Sequence, residues 1–280
     1  MKKIVFSEKC LEYSYFGHVE DPDRVRDAHE ILMKRGYEFL EPRPASDTDL
    51  LGAHSKGWIE RVKQGGYFDG DTPGGEHIFE YANLSAGAAI LAAKERAFSL
   101  MRPPGHHAGT NGRAMCAPTL GFCYLNNIAI AVRNLNRSTL ILDIDGHHGN
   151  GTEEIFKGDP RVKVISLHRV EIYPGTGYES DQNCLNFPFL SAPGDEKYLA
   201  TLEKALGQID MKGIEVVAIS AGFDCHKGDL ASLGLTSDGF QLIGKRIRNL
   251  GRHTFGVLEG GYVGENVGED LDRLLKELPD

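Results

Sequence analysis

Short apolar runs recur along the second half of the chain, and each is closed by polar or glycine-rich sequence. Four of them lie at residues 139–145, 162–168, 215–223 and 254–258, and they are rich in Val, Ile and Leu. Continuous apolar runs of this length are typical of parallel strands that are buried on both faces of a sheet. The pattern therefore predicts four buried parallel strands in this part of the chain.

Segments with a helical spacing of apolar residues precede and separate these strands. Residues 79–97, 195–209 and 237–250 place alanines and larger apolar residues at intervals that suit packing on a sheet. Strands that alternate with helices predict βαβ units and an α/β fold with a mainly parallel sheet. In such a sheet the ligand site forms at the carboxyl ends of the strands. This is where the sequence concentrates its His, Asp and Tyr residues.

Length and composition fit a single α/β domain over residues 1–280. The chain has 280 residues, of which 41% are hydrophobic and 25% charged, and it contains 34 glycines. Length alone also allows two smaller domains, with Pro42 and Pro44 as a candidate linker. The sequence after these prolines is not of the composition that gives long disordered segments, so we expect one domain.

The charge and cysteine content indicate the surroundings in which the protein works. A formal net charge of -9 argues against nonspecific nucleic-acid binding and mildly favours a cationic partner. Five cysteines without a CxxC pair indicate reduced thiols and a cytoplasmic location. No apolar stretch reaches the roughly 18 residues that a membrane span needs, and the N-terminus has no signal-peptide core. We therefore expect neither secretion nor a membrane partner.

Candidate metal ligands follow the first of the four strands. Asp143, Asp145 and His147 alternate at its end, and alternate side chains of an extended strand share one face. A carboxylate and an imidazole at this spacing can bind a divalent metal ion, and Asp224, just past a neighbouring strand, can supply another oxygen. The alternative is that these aspartates cap a loop and the histidine is structural, as is usual for an isolated DxD sequence.

Two adjacent histidines, His106 and His107, follow a Pro-Pro turn. The pKa of an imidazole lies near neutrality, which makes tandem histidines suitable for acid-base catalysis. They are equally compatible with metal ligation or with a surface position. Asp143 and Asn150 strengthen the catalytic interpretation, because each can accept an N–H from an imidazole and fix its tautomer.

A tyrosine at the end of the last predicted strand is a third candidate. Tyr262 closes the sequence EGGY, in which two glycines permit an unusual backbone. Its phenol can donate a hydrogen bond to a developing oxyanion. The alternative is an ordinary half-buried aromatic residue.

Six motifs, taken together, resemble the series that runs through the zinc-dependent histone deacetylase superfamily. They occur in that family's order and cover nearly the whole chain, and Asn150 resembles the class II and prokaryotic acetylpolyamine-type branch. The resemblance implies an arginase/deacetylase fold with a central, mainly parallel sheet of about eight strands flanked by helices. The motifs are RPPGHH (102–107), GFCYLNN (121–127), LDIDGHHGNG (142–151), SLHR with PGTG (166–177), SAGFD (220–224) and EGGY (259–262).

The resemblance implies two ion sites. The first is a zinc site, and because its ligand set is rich in oxygen it would also suit Fe(II) or Co(II). Its ligands would be Asp145, His147 and Asp224. The second is a structural potassium site. Its ligands would be side-chain and main-chain oxygens of Asp143, Asp145, His147, Ser166 and Leu167.

The resemblance also implies a division of catalytic roles. His106 would pair with Asp143 and tune the electrostatics of the site, whereas His107 would pair with Asn150. A metal-activated water would attack the amide while His107 acts as general base and then protonates the leaving amine. Tyr262 would stabilise the oxyanion.

A substrate tunnel is the last feature that the resemblance implies. Phe122 and Tyr173 would form its aromatic walls, and Gly121 would allow close approach. At the rim, Asp71 matches the loop aspartate that holds the substrate backbone, and Arg24 resembles the arginine beside the acetate exit route.

Several functions stay open from the sequence. The substrate would be an acetylated lysine side chain, an acetylated polyamine or another small amide. The sequence GDLAS departs from a common GDPLG-like segment, which places Leu230 and Ala231 at the rim and suggests a mouth that is wider or differently gated. A two-manganese ureohydrolase would share the fold but needs more Asp and His ligands, and RPPGHH and EGGY have no role there. A binder of acylated ligands or metal without turnover is the alternative outside enzymes.

Overall fold

A computed structural model describes residues 1–279. The protein is built on a sheet of eight strands, and a separate ribbon has two strands. The strands of the sheet are mostly buried apolar runs, and β4 and β5 form the ribbon. The strands are β1 (Lys3–Val5), β2 (Glu38–Leu40), β3 (Phe98–Ser99), β4 (Ala108–Gly109), β5 (Gly112–Arg113), β6 (Thr139–Asp143), β7 (Val162–Arg169), β8 (Cys184–Phe189), β9 (Val216–Ala221) and β10 (His253–Leu258).

Helices cover both faces of this sheet, as the βαβ pattern requires. The α-helices are α1 (Asp23–Lys34), α2 (Asp47–Leu51), α3 (Lys56–Gln64), α4 (Ile78–Glu95), α5 (Asn127–Leu135), α6 (Asn150–Phe156), α7 (Gly194–Leu206), α8 (Ser237–Asn249) and α9 (Gly264–Glu277), with short 3-10 turns at Glu8–Leu11 and Met211–Gly213. No helix within residues 1–279 combines the length and apolar character needed to cross a membrane.

The order of strands places the candidate residues at one edge. The order is β2-β1-β3-β10-β9-β6-β7-β8, and every neighbouring pair is parallel. From β6 the chain proceeds outward to β7 and β8, then returns to place β9 on the other side of β6. The carboxyl ends of β6 and β9 therefore lie at a topological switch point, where open α/β sheets bind ligands.

The four strands and three helices expected from the apolar pattern are all present, with ends shifted by a few residues. The strand expected at 215–223 is Val216–Ala221, and the helix expected at 79–97 is Ile78–Glu95. The remaining sheet strands were not predicted, because β1, β2 and β3 have two or three residues each and β8 contains Pro188. The expected α/β class with a mainly parallel sheet is confirmed.

Candidate active site

Three buried side chains meet beyond the carboxyl ends of β6 and β9. Asp145, His147 and Asp224 each present a ligand atom, and these atoms lie within 4.8 Å of one another. His147 Nδ1 is 2.7 Å from Asp224 Oδ2 and 3.2 Å from Asp145 Oδ1. The structure thus brings together the three ligands that the sequence analysis proposed.

The chemistry of this triad fits a divalent metal ion. Asp224 Oδ2 is buried and makes no hydrogen bond to any residue in 1–279, even though His147 Nδ1 lies so near. Burial raises the pKa of Asp224 to about 6, and the charge of Asp145 adds to this increase. A buried carboxylate oxygen without a hydrogen bond, close to a second carboxylate and an imidazole, is the arrangement that a cation stabilises.

The loops after β6 and β9, and not the strands themselves, position these ligands. Strand β6 ends at Asp143, so the prediction that alternation along an extended strand orders the three side chains was wrong. Instead, the carboxylates accept hydrogen bonds from main-chain amides of their own loop, as short acidic side chains do in turns. Asp143 Oδ1 accepts from the amide of Asp145 (3.0 Å), and Asp145 Oδ1 accepts from the amide of His147 (2.8 Å). Asp224 Oδ1 accepts from the amide of Gly146 (2.9 Å), which ties the loops of β6 and β9 together.

The two adjacent histidines lie beside the triad with different partners. His106 Nδ1 lies 3.0 Å from Asp143 Oδ2, and His107 Nδ1 lies 2.7 Å from Asn150 Oδ1. Both imidazoles are buried, and their ring centroids are 4.0 Å apart. The alternative of a surface position for these histidines is therefore excluded by the structure.

A second hydrogen bond of Asn150 determines the tautomer of His107. The Asn150 amide nitrogen donates to the carbonyl of Ala114 (3.0 Å), so its Oδ1 must be the atom that faces His107. Oδ1 can only accept, and the proton of His107 is therefore on Nδ1. The other ring nitrogen, Nε2, has a free lone pair and makes no hydrogen bond within the described part of the chain. It is placed to accept a proton.

The electrostatic environment separates the two histidines further. Burial alone would lower the pKa of His106, but the carboxylates of Asp145, Asp143 and Glu259 raise it to about 10. Burial, and then the positive charges of His106 and His147, hold the pKa of His107 well below its ordinary value. Oppositely shifted neighbours are a frequent sign of an acid-base pair in an active site. His107 is the neutral member.

Tyr262 contacts the same space from the loop after β10. Its main-chain N–H donates to Asp229 Oδ2 (3.0 Å), and the guanidinium of Arg24 lies 5.1 Å from the centre of its ring. Arg24 is buried and donates to the carbonyl of Glu259, just before the two-glycine turn, and to the carbonyl of Gly261, the second glycine of that turn. The Tyr262 backbone is thus held from both sides.

These groups open into a narrow cavity of about 120 Å³. Phe122 and Tyr173 line it, as expected from the sequence, together with His107 and Tyr262. Gly121 is required here because its φ is +55° and a Cβ would lie 2.6 Å from both His107 Cδ2 and the Tyr173 hydroxyl oxygen. Only a residue without a side chain allows the wall to approach the histidine this closely.

Of the three residues expected at the rim, Asp71 and Leu230 line the cavity and Ala231 does not. Asp71 lines the cavity, and its carboxylate accepts from the hydroxyls of Thr72 (3.0 Å) and Thr119 (2.6 Å). Leu230 is exposed and also lines the cavity. The prediction that Ala231 lies at the rim was wrong, because this residue is buried against Gly146 of the ligand loop.

Two of the residues proposed for a potassium site lie side by side on neighbouring strands. Asp143 of β6 pairs in register with Ser166 of β7. His168 Nε2 donates to the carbonyl of Gly177 (3.0 Å), and its pKa is held well below the ordinary value, chiefly by burial. His168 Nδ1 therefore accepts the proton of the Ser166 hydroxyl (2.8 Å), which leaves the oxygen lone pairs of Ser166 free for a cation.

Sequence reasoning gave no role to Glu259, the first residue of EGGY. It is fully buried, and its Oε2 accepts from the main-chain N–H groups of Gly105 (2.7 Å) and His106 (3.0 Å). Ser220 donates to its other oxygen at 2.9 Å. Burial raises the pKa of Glu259 to about 7. A charged residue ending an apolar strand was the only signal for it in the sequence.

A buried ion-pair cluster was also missed. The Arg102 guanidinium donates to both carboxylate oxygens of Glu20, from Nε at 2.6 Å and from Nη2 at 2.9 Å. Arg24 reaches the same carboxylate at 3.2 Å, and Tyr13 donates to it at 3.0 Å. This cluster supports Arg24 below the Tyr262 loop. The arginine that opens RPPGHH thus has a structural partner 82 residues away.

Sequence comparisons reveal extensive similarity to known proteins. A family model described as a histone deacetylase domain matches residues 18–278. A probable deacetylase of Methanothermobacter thermautotrophicus is 37% identical over 304 residues, which cover 98% of this chain and 90% of the relative. A histone deacetylase-like amidohydrolase of Pseudomonas aeruginosa is 33% identical over 285 residues, covering 88% of this chain and 73% of the relative.

Solved structures match over almost the whole chain. The crystal structure of the HDA15 HD domain has a TM-score of 0.89 at 30% identity and covers 99% of this chain and 88% of its own. An acetylpolyamine aminohydrolase from Burkholderia pseudomallei has the same TM-score of 0.89 at 24% identity, covering 99% of this chain and 98% of its own. The second likeness concerns the fold alone.

Proposed function

The chain belongs to the histone deacetylase family, and we propose that it is a zinc-dependent deacetylase acting on acetyl-lysine or a related acylated amine. One observation carries this proposal. A single narrow cavity is lined by His107, whose Nε2 is unpartnered, by Tyr262 and by His147 of the buried triad. With a metal ion bound, such a set would offer a Lewis acid, a base and a hydrogen-bond donor to one amide group.

Asp145, His147 and Asp224 would hold the ion. When bound, it would act as a Lewis acid toward the amide carbonyl and lower the pKa of a nearby water. The oxygen-rich ligand set also suits Fe(II) or Co(II), so the native ion is part of the proposal. The orphaned Oδ2 of Asp224 supports a cation at this point.

His107 would move the protons of the reaction. Its Nδ1 proton is held by Asn150, so Nε2 takes a proton from the attacking water and passes it to the nitrogen of the leaving amine. The low pKa of His107 keeps Nε2 unprotonated at neutral pH, as a general base requires. His106, paired with Asp143, would remain charged and contribute electrostatics rather than proton transfer.

Tyr262 would donate its O–H to the carbonyl oxygen as negative charge develops there. This interaction is strongest in the transition state, so it accelerates the chemical step more than it strengthens substrate binding. Burial raises the pKa of the Tyr262 phenol well above its ordinary value, which keeps the proton available for donation.

The substrate would be a linear acylated amine. A cavity of about 120 Å³ lined by Phe122 and Tyr173 supports this, because it offers room for an alkyl chain with a small acyl group and little room for a branched or cyclic amide. Asp71 at the rim would accept a hydrogen bond from the substrate backbone. Arg24 would lie beside the route by which acetate leaves.

Two further proposals concern ions and location. Asp143, the hydroxyl of Ser166 and the carbonyl of Leu167 would bind a structural potassium ion, with main-chain oxygens of Asp145 and His147. The free lone pairs of Ser166 support this site. All five cysteines are free thiols, which supports a reducing, cytoplasmic compartment.

The test is hydrolysis of an acetyl-lysine peptide beside N-acetylputrescine, before chelation, after chelation and after zinc return. Wild type should lose turnover on chelation and regain it with zinc. His107→Ala should bind zinc but turn over at least about 100-fold more slowly, in the range of general acid-base catalysis. His77→Ala is the matched control, because His77 is an exposed histidine that pairs with the exposed Glu80, outside the cavity.

Turnover that survives complete chelation would refute the proposal. Zinc-loaded protein that hydrolyses neither compound would point to another acyl group or to a binding protein without turnover. Preference for one of the two substrates would distinguish the peptide reaction from the polyamine reaction.

A further inference from the structure

A second cavity, of about 620 Å³, lies beside the mouth of the first. Asp69 and Leu120 line the second cavity, while Asp71 and Gly121 line the first. Two residues of chain span at most roughly 7 Å, so the two cavities share a thin wall. The amide of Leu120 donates to Asp69 Oδ2 at 2.9 Å, which fastens the two segments of this wall to each other.

Two arginines give the second cavity a positive lining. The guanidinium of Arg61 lies 4.4 Å from the ring centre of Phe68 and donates to the main-chain oxygens of Gly65 and Tyr67. Arg113 donates to the carbonyl of Pro118 at 3.2 Å. Neither arginine forms an ion pair with a carboxylate anywhere in residues 1–279. Two unneutralised arginines in one cavity are a local exception in a chain of net charge -9.

Asp69 is the one acidic residue in the lining of this cavity, and its carboxylate accepts hydrogen bonds from main-chain amides of the wall. Its Oδ1 accepts from the amides of Asp71 (3.3 Å) and Thr72 (2.9 Å), and its Oδ2 from the amide of Leu120. These main-chain donors hold the carboxylate at the base of the loop. Asp69 forms no ion pair with Arg61 or Arg113 within residues 1–279, so both guanidinium groups remain available to a ligand.

Hydrogen bonds within the protein hold the walls of this cavity. Trp58 Nε1 donates to the carbonyl of Tyr124 (2.8 Å), and a Cβ on Gly112 would lie 2.5 Å from the Trp58 ring. Glu154 accepts from the amides of Thr110 (3.1 Å) and Met115 (3.2 Å), which holds the loop that carries Arg113. Fixed positive groups beside a catalytic mouth bind an anion with little loss of conformational freedom.

We propose that this cavity, the arginine subsite, binds a carboxylate of the acetylated substrate. The inference rests on the proposed deacetylase function and narrows its substrate class to acetylated amines that carry an acidic group a short distance from the acetyl group. In a peptide, that group is an Asp or Glu side chain near the acetyl-lysine, or the α-carboxylate of a C-terminal acetyl-lysine. Acetylated polyamines are cationic, so the subsite disfavours them.

The first test compares peptides that differ only in charge. At low ionic strength the wild type should have a kcat/KM about three- to tenfold higher for acetyl-lysine flanked by Glu than by Gln, mainly through KM, and added salt should reduce this ratio. A free C-terminal carboxylate compared with its amide tests the second source of the anion. The double variant Arg61→Gln/Arg113→Gln should bring these ratios close to one and leave kcat for the Gln peptide unchanged.

Arg137→Gln is the matched control, because Arg137 is a half-buried arginine that pairs with Glu215 and lies two residues before β6, at the edge of the sheet away from the site. It should keep the wild-type ratio. A wild-type ratio near or below one for both carboxylate sources, or a ratio that the double variant retains, would overturn the inference. In that event deacetylation of the neutral peptide would still support the proposed function.

A second readout does not depend on turnover. Trp58 is the only tryptophan of the chain and lines the arginine subsite, so its fluorescence reports occupancy. The Glu peptide should change the emission at a several-fold lower concentration than the Gln peptide, and the double variant should remove this difference. Equal responses in wild type would refute the subsite. A charge-dependent response without any deacetylation would support the subsite and refute the proposed function.

Discussion

Gly121→Ala tests whether the close approach of the cavity wall to His107 is needed for catalysis. The added Cβ would lie 2.6 Å from His107 Cδ2, about 0.8 Å inside ordinary contact, and the Tyr173 hydroxyl oxygen blocks the other side at 2.6 Å. The histidine must therefore move by most of an ångström. Because misplacing a reacting group by about 1 Å costs roughly 100-fold in rate, we expect kcat/KM to fall about 100-fold.

The substitution should also lower the stability of the fold. A residue with a side chain at φ +55° costs about 1–2 kcal/mol, and overpacking adds a further 1–3 kcal/mol, so the free energy of unfolding should fall by about 2–5 kcal/mol. Gly251→Ala is the matched control, because its φ is +61° and nothing lies within 4 Å of the added Cβ. The Gly251→Ala variant carries only the cost of a side chain at positive φ, so we expect it to be slightly destabilised and fully active.

The assay is steady-state hydrolysis of an acetyl-lysine peptide, run with both variants at equal zinc content, beside denaturant unfolding. The reasoning is refuted if folded, zinc-loaded Gly121→Ala works at the wild-type rate. It is also refuted if Gly251→Ala loses as much activity, because backbone strain alone would then explain the loss.

Three further predictions concern residues around the site and in the core. Asp229→Asn should lower kcat about 10-fold with little change in KM, measured by steady-state kinetics, because the acceptor for the Tyr262 amide is weakened; an unchanged kcat would contradict this. Asn150→Ala should lower kcat about 10–100-fold, and Asn150→Asp should retain more activity because it can still accept from His107 Nδ1; equal losses would count against tautomer control. His54 is buried with a pKa of about 4, chiefly because of burial, against about 6.5 when unfolded. As the pH falls, the unfolded chain therefore binds the proton first, so His54 should lower the free energy of unfolding by about 2–3 kcal/mol between pH 7 and pH 4.5. Denaturant unfolding of wild type and His54→Gln should show a smaller fall in the variant. Parallel curves for the two proteins would contradict the low pKa of His54.

The sequence was sufficient for features that depend on local pattern. Uniformly buried strands such as β6 and β9 form continuous apolar runs, and the polar residues that follow them mark the site because parallel strands end at one edge. The motif resemblance then supplied the partners His106 with Asp143 and His107 with Asn150, and these pairs lie within hydrogen-bond distance.

Features that depend on contacts between distant loops could not be predicted. Asp229 holds Tyr262 across 33 residues, and Glu259 holds the histidine turn across more than 150, with no periodicity to connect them. The positions of the three candidate metal ligands are also set by loop hydrogen bonds and not by strand alternation. Ala231 is small and its position in a rim motif suggested exposure, but Gly146 leaves a space that only a small side chain fills.

The central claim is metal-dependent amide hydrolysis at the triad of Asp145, His147 and Asp224. The most direct measurement is acetate release from an acetyl-lysine peptide, together with the zinc content of the same samples, for wild type and Asp224→Asn. We predict about one zinc ion per chain with acetate release in wild type, and loss of both in the variant. Acetate release by wild type stripped of metal, or by a variant without zinc at the wild-type rate, would contradict the account.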